Sequence, residues 1–195
     1  MTSSALTCKP RRPLMDLFPV LGRQVALRLV RPGDAAFVHG LRCDPAYNTH
    51  LSAVTGTVDD QRAWILRYLE REAAGQEIYC VIERIDGLPC GLVRLYDIAD
   101  DQFTWGSWIL NADKPQKAAL ESAVLSFGLG FRQLNLPVAY VDVRIHNAKA
   151  RAFYNRLGMQ ELRRDEQDIY FVYHRAMFEK DVDALRSSVD REART

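Results

Sequence analysis

The stretch VDVRIHNAKARAFYNRLGM, residues 141–159, changes character part-way along. A strand over 138–144 runs into Asn147, alanines follow at Ala148 and Ala150, and Phe153-Tyr154 precedes Leu157-Gly158-Met159. Residues 147–157 therefore read as a helix that Gly158 ends. Immediately upstream, Leu120, Val124, Phe127, Phe131 and Leu134 recur on one helical face. That helix is expected to carry Pro115 in its first turn, where proline is tolerated. Gly128 and Gly130 each cost it about 1 kcal/mol relative to alanine, so both are expected where the helix packs closely on the sheet.

Further out, three strands lie close together at 77–85, 90–98 and 103–110, with Asp86-Gly87 as the turn between the first two. In the third, Gly106 is expected at a bulge or a close approach. Simple alternation places Trp105 and Trp108 on opposite faces, which makes either one a candidate wall of a pocket. Towards the N-terminus the pattern is a strand at 25–30, a helix at 35–42, a loop at 43–56 and a long helix at 57–74. Thr57 and Asp60 stand at capping-box spacing at the start of that helix. Two more strands, 159–164 and 169–174, close the pattern, and Met177, Phe178, Val182 and Leu185 are placed to pin a short terminal helix. The order β-α-α-β-β-β-α-β-α-β-β is a mixed α+β fold, expected as one unit over 23–176 between an arm (1–22) and a charged tail (177–195).

The chain has 195 residues, 48% of them hydrophobic, with 26 Lys+Arg against 25 Asp+Glu, the composition of an ordinary globular protein. This balance argues against nucleic acid or a membrane surface as the partner, since both call for clustered positive charge. Cys8, Cys43, Cys80 and Cys90 form no CxxC pair, so neither a zinc site nor a disulfide framework is expected. A reducing cytoplasm fits best. No GxxxxGK[ST] or GxGxxG occurs, which removes two common nucleotide-binding devices.

Asn147-x-x-Ala150-x-x-Phe153-Tyr154-x-x-Leu157-Gly158-Met159 resembles the signature of the GCN5-related N-acetyltransferase (GNAT) family. The pattern is nearest to the branch of ribosomal-protein N-terminal acetylases and amino-sugar acetylases. The resemblance implies a mostly antiparallel mixed sheet of about seven strands with helices on both faces. It further implies direct transfer of acetyl from acetyl-CoA to a primary amine in a ternary complex, without a metal. The acceptor would be a small molecule or a peptide: an amino sugar, free or on a nucleotide, or a protein N-terminus. Such chemistry needs a neutral amine, donors for the developing oxyanion and a proton for the departing thiolate.

By the same resemblance Tyr154, whose phenol has an ordinary pKa of about 10, is the general acid, and Asn147 contacts the pantetheine arm. Backbone groups near Ile109 and Leu110 would pair with that arm. The pyrophosphate cradle falls on Lys114-Pro115-Gln116-Lys117-Ala118-Ala119, with Lys149 and Arg151 adding positive charge. Lys117 stands where the family has glycine, so the alternative reading is a catalytically impaired acyl-CoA-binding or protein-interaction module. His146 titrates in the useful range and is the first candidate base, with Asp97, Asp101 and Glu83 behind it. A homodimer is expected by analogy with the family alone.

Overall fold

A computed structural model describes the backbone of residues 13–50 and 55–191, and side chains as far as residue 183. Cys8 and the side chain of Leu185 lie outside the described residues. In chain order the elements are β1 (Val20–Leu21), β2 (Val25–Leu29), α1 (Ala35–Cys43), α2 (Pro45–Asn48), α3 (Val58–Ala73), β3 (Ile78–Arg84), β4 (Pro89–Tyr96) and β5 (Gln102–Leu110). They continue as α4 (Ala118–Gly128), β6 (Val138–Arg144), α5 (Ala148–Arg156), β7 (Gln160–Arg164), β8 (Asp168–His174) and α6 (Arg175–Arg191).

The strands form one sheet in the order β1-β2-β3-β4-β5-β6-β8-β7, eight where about seven are expected. The additional strand is β1, from the end of the N-terminal arm, which pairs antiparallel with β2. A buried carboxylate holds it in place. Glu121 in the first turn of α4 accepts the backbone amides of Arg23 and Gln24, so the turn between β1 and β2 is tied to the helix beneath it. A second addition is α2, inside the stretch expected as a loop, where Asp44 accepts the Ala46 amide at 2.8 Å and starts the turn.

Strand alternation divides the interior into two cores. Ile78, Cys80 and Ile82 of β3 join the aromatic residues of β5, α4, α5 and α6 in one. Tyr79 and Val81 join Val38, Leu41, Ile65 and Tyr68 of α1 and α3 in the other. The helices therefore cover both faces, as expected. Thr57 and Asp60 form the anticipated capping box at the start of α3. The terminal helix α6 is docked, with Phe178 and Val182 each 1% exposed.

The sheet has one parallel pair, β5 with β6, and it is short: Gln102, Phe103 and Thr104 pair with Val138, Ala139 and Tyr140. Beyond Thr104, β5 pairs only with β4. The β4–β5 register moves from Arg94 opposite Gly106 to Leu92 opposite Ile109, so Ser107 and Trp108 together face Val93. Ser107 takes up the extra residue with φ of +48°. The bulge is therefore at Ser107–Trp108, next to the glycine that signals it.

This bulge overturns the expectation that Trp105 and Trp108 lie on opposite faces. One inserted residue returns Trp108 to the face of Trp105, and the two rings lie 5.3 Å apart. Both indole N–H groups donate to α4, Trp105 to Ser126 at 2.8 Å and Trp108 to Ser122 at 3.2 Å.

Helix α4 begins at Ala118, so Pro115 lies in the preceding turn rather than inside the helix. It ends at Gly128 and passes into a single π-helical turn, Leu129–Gln133. A Cβ at Gly130 would stand 2.3 Å from the Phe103 ring, which is the expected close packing on the sheet. A Cβ at Gly128 would meet only Phe178, at an ordinary 3.7 Å, so close packing does not account for that glycine. Gly130→Ala should lower stability by about 2 kcal/mol through overpacking. Gly128→Ala should be neutral or stabilising by up to about 1 kcal/mol. Thermal melts of the two variants check this; equal losses would contradict it.

Candidate active site

Because β5 leaves β6 after Thr104, the facing edges of 105–110 and 141–144 have no ladder between them. The gap is a cleft of about 500 Å³. Its floor is β5 from Gly106 to Leu110, and β6 contributes Asp142, Val143 and Arg144. Helix α5 contributes Lys149, Ala150, Phe153, Tyr154 and Arg156, with Asn147 at its start, and α4 contributes Ala119. Arg42, Ala46, Tyr47 and His50 close the other side, and Tyr47 is fixed there by the Ala112 amide donating to its hydroxyl at 3.1 Å.

Aromatic stacking props the gap open from the α5 side. Phe153 stacks on Trp108 at 5.1 Å, and the Tyr154 ring meets Trp105 edge-on at 6.0 Å. Tyr154 is 5% exposed, and its phenol is pushed well above its ordinary value, by burial first and then by Asp142 and Tyr96. Burial disfavours the phenolate, so Tyr154 is held as a proton donor. The helix carrying it is capped at both ends. Asn147 accepts the Ala150 amide at 3.1 Å, which occupies its side-chain oxygen and leaves the amide NH2 for a ligand. At the far end, Gly158 donates to Asn155 and Met159 to Tyr154 in a Schellman arrangement. The signature residues are thus partly a well-capped helix and partly a wall.

The cleft contains a carboxylate that sequence reasoning missed. Val141 and Val143 are 2% and 5% exposed in the α5-side core, so Asp142 between them points to the opposite face. It is exposed and lines the cleft. Its pKa is raised by burial and by Asp168, with Arg144 and Tyr96 opposing. The signal was present: a polar residue flanked by two core valines, one strand before the Asn147 motif, must face whatever lies across the sheet.

The other base candidates do not reach this place. His146 is exposed in the turn after β6, where the chain is bending to start α5, and it does not line the cleft. Asp97 lies in the turn after β4 and accepts the Thr104 hydroxyl at 3.5 Å, and Asp101 is on the surface. Glu83 is engaged by Arg28 at 2.5 Å. Arg151 also turns away, donating to the Ile145 carbonyl at 3.1 Å to secure the strand end.

Ile109, Leu110, Ala119, Asn147 and Lys149 line the cleft, whereas Lys114, Gln116 and Lys117 lie in the turn before α4 and buried Ala118 is the helix's first residue. In that turn Lys117 has φ of +62°, the left-handed conformation that glycine adopts most readily. The Lys117 departure therefore keeps the backbone shape that a glycine would provide. After it, the Ala119 and Leu120 amides belong to the first helical turn and have no partner within the helix, as an anion cradle requires. Lys117→Gly should raise stability by about 1 kcal/mol through relief of left-handed strain, read as a higher melting temperature. A lower melting temperature would contradict that account.

The acetyltransferase (GNAT) domain profile matches residues 24–160. No curated protein matches the chain. Among solved structures, apo FdhC, a nucleotide-linked sugar GNAT, is 36% identical with a TM-score of 0.80, over 87% of this chain and 97% of that one. A point mutant of the spermidine N-acetyltransferase SpeG from Vibrio cholerae is 20% identical, TM-score 0.67, over 80% and 96%. Mycobacterium smegmatis RimJ in complex with CoA-disulfide is 17% identical, TM-score 0.67, over 83% and 90%, and like SpeG it shares the fold. With its signature helix, splayed sheet and matched domain, the chain belongs to the GCN5-related N-acetyltransferase family.

Proposed function

We propose that this chain is an acetyl-CoA-dependent N-acetyltransferase whose acceptor is an amino sugar carried on a nucleotide. The observation that carries this reading is the 36% identity to a nucleotide-linked sugar GNAT across 97% of that protein. The charge of the cleft supports it. Arg42, Arg144, Lys149 and Arg156 line it against Asp142 and Asp168, and Asp168 is paired with Arg144 at 2.9 Å. Such a cleft suits two phosphate-bearing substrates and disfavours a polyamine.

The residues fit acetyl-CoA, which supplies a thioester. Along the edge of β5 that faces away from β4, Leu110 offers backbone groups to the pantetheine arm while Ile109 stays in the ladder with Leu92, and Asn147 offers its amide NH2. The first-turn amides of α4, shaped by left-handed Lys117, receive the pyrophosphate. Because Lys117 keeps the left-handed turn, the departure that suggested an impaired module does not break the cradle.

Asp142 and Tyr154 lie on opposite sides of the gap, which matches two substrates approaching from two faces. Asp142 takes a proton from the acceptor ammonium, so that the neutral amine can attack the thioester carbonyl. Tyr154 gives its proton to the departing sulfur and is reprotonated by the proton that the attacking nitrogen sheds as it becomes an amide; burial holds the phenol protonated at neutral pH between turnovers.

A thiol-release assay with acetyl-CoA checks the reading against UDP- and dTDP-linked amino sugars, spermidine and N-terminal peptides. Turnover is expected with a nucleotide-linked amino sugar; preference for spermidine or peptides would overturn the acceptor assignment. Tyr154→Phe should lower kcat about 10- to 100-fold with KM for acetyl-CoA near wild type. Unchanged kcat would refute its acid role.

A further inference from the structure

Tyr96, the last residue of β4, is built into the cleft more firmly than a lining residue needs to be. Its ladder partner on β5 is Thr104, but its ring reaches along the strand to Gly106, where a Cβ would stand 3.2 Å from the Tyr96 hydroxyl. A side chain at Gly106 would press on the phenol and push it off β5 by a few tenths of an ångström. From behind, the Arg94 guanidinium lies 4.7 Å over the Tyr96 ring and 5.5 Å from Trp64, and is itself anchored by buried Glu77. Glu77 in turn is held by Arg71 at 2.6 Å. A surface tyrosine has no need of a glycine cut out beneath it and an anchored cation above it.

We propose that Tyr96 is a positioning residue for the acetyl transfer: carried across Gly106 and fixed by Arg94, its hydroxyl donates to Asp142 and aims that carboxylate at the acceptor amine. This rests on Asp142 being the base, as argued above. The Tyr96 phenol is pushed up to about 12, by burial and then by Asp142, so it is a neutral donor at working pH. A donor to the carboxylate favours its charged form, and Tyr96 does act on Asp142 in that direction. The other groups facing Asp142 are Arg144 on its own strand, Asp168 on β8 and Tyr154 on α5. Tyr170, its cross-strand neighbour, donates its hydroxyl to Asp165 at 2.9 Å and is engaged there. Tyr96 is thus the one of these neighbours whose loss removes a donor from the carboxylate without changing the charge around it.

The test is a carboxyl-carbon NMR titration of the full chain labelled at aspartate, with Asp142→Asn identifying the Asp142 resonance. Its midpoint in the native chain should lie above the ordinary aspartate value of about 4. Tyr96→Phe removes the donor and should move that midpoint up by about one further unit, with acetyl-CoA affinity within about twofold. Gly106→Ala displaces the phenol by other means and should shift it in the same direction, which keeps the test alive if Tyr96→Phe does not fold. A midpoint unmoved in the variant that folds would overturn the positioning role. On the acceptor found in the thiol-release assay, the acid limb of kcat/KM should follow the same shift. If Asp142→Asn leaves that limb in place, the base assignment fails. If Asp142→Asn removes it while Tyr96→Phe leaves it unmoved, only the role of Tyr96 fails.

Discussion

One inserted residue in β5 governs the rest of this molecule. With Ser107 at φ of +48° and two residues opposite Val93, β5 changes direction at the point where its pairing with β6 has stopped. A sheet cannot leave such a gap without a replacement for the missing ladder. Here the replacement is aromatic, with Trp105 and Trp108 brought to one face by the bulge, stacked on Phe127 and Phe153 and met edge-on by Tyr154. The same insertion thus opens the cleft, fills its wall and leaves β5 backbone groups unpaired along the floor. A site that has to bind an extended, polar pantetheine chain needs unpaired backbone of this kind, held rigid by packing.

The gap runs through the sheet and connects its two faces. Alternation along β6 puts the valines towards α5 and Asp142 on the face of α1 and α3, so in the proposed reaction donor and acceptor chemistry are separated by the thickness of one sheet. Burial acts on both titrating groups in the useful direction, holding Tyr154 protonated and raising Asp142 from the ordinary carboxylate range. The positive residues around the cleft are distributed among α1, β6 and α5. A net charge of +1 therefore coexists with a strongly anion-favouring site.

Long periodic elements were legible in the sequence because a buried face must repeat. The α3 capping box, the face of α4, β6 and the capped α5 follow from pattern and end signals. Elements too short to show a period were not: β1 spans two residues, and α2 takes its start from a single aspartate. The faces of Trp105 and Trp108 were misread because alternation assumes an uninterrupted ladder. The left-handed turn at Lys117 has no signature in a lysine, although the family resemblance marks the position. The motif led to Tyr154 and Asn147, which line the cleft, whereas Asp142, which lines it too, lies outside that motif. His146 was favoured for its titration range, a property that says nothing of direction.

The central claim is that the second half of β5 is left without a partner on its β6 side so that acetyl-CoA can take the place of a strand there. Amide hydrogen exchange at residues 106–110 tests it most directly, measured with and without acetyl-CoA. Protection concentrated at Leu110, whose backbone faces the open edge, together with the first-turn amides of α4, is the result this account predicts. Protection that leaves those residues unchanged while acetyl-CoA binds would contradict it.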